Sequence, residues 1–396
     1  MYWTGRDSII LATLKIALVI LHADPARGGA ERYTVDLAAA LRRRGHETTL
    51  LATRFGEKVG RDEDVLLRVR GATRVGRYEQ FLDQLDSYLA EHAFDIVHAM
   101  LPVRRCDVYH PHAGLAVEAI ASADVKYEGA ARRTIARAAR RFNRRRLRFA
   151  AVERELLTSN EPPVVLCLSE YIKSVVRKHY SLPEAKLATL FNAVDLAKFD
   201  PASRRGAGDE ARRRLQIAPD NIVALIIAQD FARKGLRQAI VATAKVDDPR
   251  LVLVVVGKQD PAAYRRLAQE HGVADRVIFA GPTDDPYAFY RAADFFVLPT
   301  RHDPCSLVVL EALAMGLPVI STVFNGACEI MTDAQHGYVL NDPADTDALA
   351  SAMRHVLDPS LRQSLSAACL QLRPALSHDH HLDQLRQIYQ LAHRPR

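Results

Sequence analysis

The chain has few cysteines, no apolar run long enough to cross a membrane and no low-complexity tract. Its five cysteines, Cys106, Cys167, Cys305, Cys328 and Cys369, stand singly, with no CxxC pair and no metal-ligand spacing. That pattern excludes a disulfide framework and points to a reducing compartment. The most apolar stretch near the start, Ser8 to Leu21, is short and carries Lys15 in its middle, so it reads as neither a membrane span nor a signal peptide. Residues 1–14 read as a loose extension. What is present is a globular composition, 48% hydrophobic and 26% charged, over 396 residues, which is too much for one ordinary core. Two domains of near-equal size are expected. The net charge of +7 is unevenly spread.

Apolar, β-branched runs alternate with helical patterns along the whole chain. Strands are expected at Lys15–Leu21, Glu47–Thr53, Asp95–His98, Asp107–His110, Pro163–Ser169 and Leu187–Leu190. Runs of this kind are buried on both faces of a parallel sheet. A polar, Arg/Gly-rich stretch after Pro201 marks a boundary near residue 200, and the same grammar restarts. Six more strands follow: Ile222–Ala228, Leu251–Val256, Val277–Ala280, Phe295–Leu298, Val319–Ser321 and Tyr338–Leu340. The fold class is α/β: two Rossmann-like, doubly wound domains, 15–200 and 201–375, with a cleft between them and a last helix in 376–396.

Candidate site residues fall at strand ends, where open α/β sheets bind ligands. Asp303 and Glu311 bracket a helix start at Ser306-Leu307-Val308. A helix N-terminus offers free N–H groups to an anion, and a flanking carboxylate on either side suits hydroxyls. Together they suggest a nucleotide-sugar; the plainer alternative is a Ser306 cap and a surface Glu311. Arg233 and Lys234, before Gly235 at the end of the first strand of the second half, could neutralise a diphosphate leaving group. Gly28 and Gly29 follow the first strand, either to let a ligand approach the backbone or to make a tight turn. His110 could contact a reacting sugar, His112 less clearly, and the pair lacks a third ligand for a metal. Between Arg132 and Arg148 stand nine arginines and no acid, on a helical pattern with one apolar stripe. Such a helix suits an anionic membrane surface; a solvated helix face is the second reading, and nucleic acid a distant third.

These residues resemble a family 4 glycosyltransferase of the GT-B fold. The motifs are Gly28-Gly29-Ala30-Glu31, Asn192-Ala193-Val194-Asp195, Arg233-Lys234-Gly235 and, most specific, Asp303-x7-Glu311 with Ala312 to Val319. Within the family, DVYHPHAG, RFAAVERELL and AQDFARKGLRQAI are similar to the lipopolysaccharide core glucosyltransferase branch. Three positions depart from the family pattern: Asp303 for Glu, Cys305-Ser306 for Phe-Gly, and Asn192-Ala193 for Asn-Gly. The resemblance implies that Glu311 binds the donor ribose and Asp303 the transferred sugar. It places the diphosphate on the N–H groups around Ser306, Leu307 and Val308, with Arg233 and Lys234, and the base near Gly281, Pro282 and Thr283. Gly28 and Gly29 would line the diphosphate, and His110 would contact the donor sugar. The implied reaction is retaining transfer of a hexose, glucose first, from a UDP-linked donor to a saccharide or lipid-linked oligosaccharide such as lipopolysaccharide core. No cofactor or metal is expected, since Asp247-Asp248 and Asp284-Asp285 sit in other contexts. Nucleic acid is not expected as a partner. The implied place is the cytoplasmic face of the inner membrane, held peripherally through Arg132–Arg148. A nucleotide-sugar epimerase or hydrolase, or an inactive membrane-surface protein, is the alternative.

Overall fold

A computed structural model describes residues 13–57, 59–112, 114–121 and 144–393. The first sheet has seven parallel strands in the order β3-β2-β1-β4-β5-β6-β7. They are β1 (Lys15–Val19), β2 (Glu47–Ala52), β3 (Val65–Leu66), β4 (Ile96–Ala99), β5 (Val108–Tyr109), β6 (Val164–Cys167) and β7 (Leu187–Thr189). The second has six parallel strands in the order β10-β9-β8-β11-β12-β13: β8 (Ile222–Ile227), β9 (Leu251–Val256), β10 (Val277–Gly281), β11 (Phe295–Val297), β12 (Val319–Thr322) and β13 (Gly337–Leu340). Each sheet reverses its strand order beside its first strand, between β1 and β4 and between β8 and β11. These are the switch points at which doubly wound sheets leave a crevice.

The central strands form because their side chains can be buried on both faces: all six residues of β9 are buried. Helices between them start on polar caps. Thr73 accepts from Gly76 N at the head of helix Arg74–Glu91, and Asp345 from Asp347 N and Ala348 N at the head of Thr346–Leu357. The edge strand β3, two residues long, carries too little pattern to be expected from sequence. The Arg-rich stretch after Pro201 is no mere linker. Residues Ala207–Arg214 form a helix, and Arg212 bonds Ala292 O, Asn221 O and Asp294 of the second unit.

The last helix, His378–Ala392, packs on the first sheet although the second precedes it in sequence. Leu382, Leu385, Ile388, Tyr389 and Ala392 join the core around β1 and β4. Arg44 binds Asp379 and Asp383 of that helix, and His98 Nδ1 lies 2.8 Å from Tyr389 Oη. The chain therefore crosses between the two units twice, at 190–200 and again near 376. A parallel bridge between Val194 and Ser377 ties the two crossings together.

Of the arginine-rich stretch, residues 132–143 lie outside the described residues. Arg144–Leu157 is a helix, and Phe149 stacks on Tyr78 with ring centroids 4.2 Å apart. Arg148 pairs with Glu79 and Glu155, so counter-charges absent from the local sequence arrive from another helix and from farther along.

Candidate active site

The loops that follow β8 and β11 meet at the second switch point. Gly235 makes this possible: its φ is +78°, and a Cβ there would lie 2.2 Å from Pro299 O. A left-handed backbone and a contact this close both demand glycine. Arg301 N donates to Arg233 O at 3.0 Å, and Arg233 Nη1 donates to His302 O at 2.9 Å. Lys234 is thereby turned inward, where its ammonium bonds Asp303 Oδ2 in a buried ion pair. Burial lowers the Lys234 pKa, against the attraction of Asp303, which raises it.

Asp303 is clamped by its own backbone, with its N–H on Phe324 O at 2.8 Å and its carbonyl accepting from Gly326 N at 3.0 Å. Helix Leu307–Ala314 starts four residues later. Ser306 is buried at its head, yet its hydroxyl makes no capping bond. The simple capping role is not what the residue performs. Its N–H lies 3.3 Å from Asn325 Oδ1, which leaves the N–H groups of Leu307 and Val308 as the open donors of the first turn.

One turn on, Glu311 accepts from Tyr290 Oη at 2.8 Å. Burial pushes its carboxyl up to about 7, while Tyr290, Lys198 and Arg32 pull in the other direction. Arg32 belongs to helix Gly29–Arg43 of the first unit, so the two units face each other here. Gly28 and Gly29 head that helix, exposed and without a side-chain cap. Gly28 has φ 176°, extended backbone open to any residue, and a Cβ on Gly29 would meet nothing within 4 Å. Neither glycine is in a left-handed turn; a Cβ on Gly28 would press on Glu31 Oε2 at 2.9 Å, and one on Gly29 would stand in open space before the helix N-terminus. Gly281, Pro282 and Thr283 lie at the end of β10 on the same sheet edge, where Thr283 Oγ1 donates to Asp285 O.

His110 is set back from this space. It has no exposed surface, and neither ring nitrogen has a protein partner. It lies among His98, His112 and Tyr33, at centroid distances of 5.5, 5.1 and 5.2 Å. Burial keeps it neutral, with its pKa well below the usual value. No three His, Cys, Asp or Glu side chains among the described residues are placed to hold a metal.

Several residues that hold the site were not singled out in the sequence. Ser169 caps helix Glu170–His179 and donates to Pro304 O at 2.7 Å across the cleft. Gly326 packs there too, since a Cβ on it would lie 2.1 Å from Pro304 O. Glu329 accepts from Glu170 N and Tyr171 N at 2.7 and 2.6 Å, a carboxylate seated on a helix N-terminus of the other unit. Tyr171 Oη reaches His302 Nδ1 at 2.7 Å, and Asn192 Nδ2 donates to Cys305 O at 2.9 Å. Only Asn192 carried a sequence signal, through its motif at the junction.

Two Rossmann-like units that meet beside the Lys234–Asp303 pair and the helix start at Leu307 have the architecture of the GT-B glycosyltransferases. Comparison with known proteins agrees. A Glycosyltransferase Family 4 model matches residues 27–198, and a Glycosyl transferases group 1 model matches 208–369. The chain is 25% identical to lipopolysaccharide glucosyltransferase WaaG of Escherichia coli K12 over 84% of its length and 87% of the relative's. It is 34% identical to the lipopolysaccharide core biosynthesis glycosyltransferase LpsE of Rhizobium meliloti, over 39% of this chain and 45% of that one. The crystal structure of WaaG superposes with a TM-score of 0.75 at 22% identity, covering 95% of this chain and 99% of that one. A sucrose-phosphate synthase from Thermosynechococcus elongatus gives 0.68 at 23% identity, with 95% and 98% covered. The two models together span most of the chain, which belongs to the family 4 glycosyltransferases.

Proposed function

We propose that the chain transfers a hexose, glucose first, from a UDP-linked donor to a saccharide or glycolipid acceptor, with retention of configuration. The buried Lys234–Asp303 pair beside the open N–H groups of Leu307 and Val308 carries this reading. A diphosphate entering there supplies the anion that Lys234 now takes from Asp303, and it frees the Asp303 carboxylate for sugar hydroxyls. Arg233, fixed on His302 O, adds a second positive charge where the leaving group gains negative charge. Glu311 receives the ribose hydroxyls, Gly281–Thr283 the base, and Gly28 and Gly29 the diphosphate from the other side.

In a retaining transfer without a metal, the acceptor hydroxyl attacks the face from which the diphosphate departs. A phosphate oxygen of the leaving group takes the hydroxyl proton. The protein positions the reactants and stabilises the departing charge. His110, neutral and without a protein partner, is the group available to meet the sugar if the cleft closes onto it. The similarity to WaaG, named as a lipopolysaccharide glucosyltransferase, supports glucose and a lipopolysaccharide core acceptor. The nine arginines without an acid between Arg132 and Arg148 support work at an anionic membrane surface, with that stretch as contact. No helix among the described residues is long and apolar enough to cross a membrane.

A thermal-shift screen of nucleotide-sugars identifies the donor, and transfer is then followed with Lys234→Ala. Loss of this charge is expected to cut turnover about 100-fold or more, with donor affinity changed far less. Near-wild-type turnover would sink the assignment. Consumption of donor at full rate without acceptor would make the protein a hydrolase instead.

A further inference from the structure

Five arginines crowd the carboxyl edge of the first sheet with no acid paired to them among the described residues. Arg27 follows β1, Arg54 follows β2, Arg74 and Arg77 open the helix after β3, and Arg145 stands in the first turn of Arg144–Leu157. Packing holds them on one surface. Ala23 N donates to Arg54 O at 2.8 Å, which sets the loops after β1 and β2 side by side. Tyr78, next after Arg77, stacks on Phe149, and the Arg145 guanidinium lies 5.1 Å from the centre of that same ring.

Arg145 consequently sits among cations. Burial lowers its pKa, and Arg74, Arg27 and Arg77 lower it further. His22 in the same hollow is pulled down to about 4 by burial and then by Arg27, Arg145 and Arg54; Asp24 is the one acid that acts on it in return. The contrast with other arginines of this unit is sharp. Arg104 binds Glu79, Asp83 and Asp86; Arg148 binds Glu79 and Glu155; Arg42 binds Glu63 and Asp64. Among the described residues, the five at the edge make no ion pair.

Clustered like charges repel and destabilise the fold unless an anion settles among them. Guanidinium groups are the side chains best shaped for phosphate. The cluster begins at Arg27, beside Gly28, and runs outward along the sheet, away from the donor pocket on the other unit. We propose that this edge binds a phosphate group carried by the acceptor, so that the acceptor is a phosphorylated saccharide and not a neutral one. This rests on the glycosyltransferase reading above. The phosphate would anchor the acceptor on Arg74 and Arg145 while its hydroxyl points past Gly28 and Gly29 to the donor.

Inorganic phosphate is the probe, titrated by 31P NMR into the full chain, with and without saturating UDP. Phosphate should bind in both conditions, because UDP fills the donor pocket but not this edge. The double variant Arg74→Gln/Arg145→Gln should weaken it about tenfold or more, since two charge-assisted contacts are removed, and leave UDP affinity unchanged. Arg266→Gln/Arg386→Gln, which removes the same charge from exposed positions elsewhere, should change neither. Binding to mixed phosphatidylglycerol–phosphatidylcholine vesicles should be equal in the single variants Arg74→Gln and Arg266→Gln, both exposed and both outside the Arg132–Arg148 stretch. Equal phosphate affinity in the two double variants would overturn the proposal. So would a loss of vesicle binding confined to Arg74→Gln, which would make the edge a membrane contact. Failure of the transferase reading shows separately, as a protein that binds phosphate but no nucleotide-sugar.

Discussion

Along the second sheet's edge, Lys234, Arg233 and Glu311 each hold a partner from the chain: Asp303, His302 O and Tyr290. Along the first sheet's edge, Arg27, Arg54, Arg74, Arg77 and Arg145 make no ion pair among the described residues; Arg77 has a 3.3 Å bond to Gly71 O and Arg145 lies over the Phe149 ring, neither of which neutralises the charge. Both edges sit at the carboxyl ends of parallel strands, and both are positive. They differ in what the chain does with the charge. A buried cation needs a counter-ion before any ligand arrives, because an unpaired one would be costly to desolvate. Asp303 serves as that stand-in. Arg27, Arg54, Arg74 and Arg77 are exposed, so they stay hydrated and can wait. The donor edge is thus prebuilt and closed on itself, and binding there is an exchange of partners. The other edge is open, and binding there is an addition.

The comparison breaks first at Asp303. Asp303→Asn leaves the Lys234 ammonium buried without its counter-ion and should destabilise the ligand-free protein by roughly 3–5 kcal/mol in denaturant melts. A bound nucleotide-sugar should restore much of that loss, because its diphosphate replaces the missing anion. Arg74→Gln/Arg145→Gln should leave stability unchanged or slightly raised, since it relieves repulsion. Equal stability losses at the two edges would remove the distinction between exchange and addition.

The glycines test the same difference through the backbone. Gly235→Ala forces a Cβ against Pro299 O in a left-handed conformation, and should cost roughly 3 kcal/mol. Gly29→Ala meets open space and should leave the melting curve where it is, while weakening nucleotide binding by crowding the helix N-terminus. A stable Gly235→Ala, or a destabilised Gly29→Ala, would show that the two loops are not built as described.

How much of this was legible in the sequence depended on the range of the interaction. Parallel strands buried on both faces read directly: β9 runs from Leu251 to Val256 as its apolar run implies. The helix Ala207–Arg214 did not read, because its charged sequence hides the close packing of Gly208, where a Cβ would lie 2.4 Å from Arg291 O. The last helix was visible through its apolar stripe, but nothing local says that Leu385 and Tyr389 belong against β1 and β4. At the site, Asp303, Glu311, Arg233 and Lys234 stood out as chemistry at strand ends. Their pairing did not. Lys234 finds Asp303 across 69 residues, and Ser169 finds Pro304 across 135, distances that only the assembled sheets make short. A lone Ser or Tyr has no pattern to announce such a contact.

Glu311 is where the two edges meet, since its helix belongs to the second unit and Arg32 reaches toward it from the first. Burial holds its carboxyl protonated up to about pH 7 in the ligand-free protein. The folded value is raised above the unfolded one, so this group's contribution to stability is full below the unfolded pKa and is lost as pH rises through 7. Binding has the opposite sign, because ribose hydroxyls donate best to the ionised carboxylate. UDP-glucose is the suitable probe, as its diphosphate diester does not titrate in this range. Its affinity should rise about tenfold between pH 6 and pH 8, following the ionised fraction of a group with pKa near 7. Glu311→Gln should bind more weakly and show no such slope. Arg32→Gln should shift the slope to higher pH, because it removes a cation that favours the carboxylate. A slope unchanged in Arg32→Gln would mean that the first unit does not act on the donor pocket through this pair, and the two edges would then be independent in charge as well as in design.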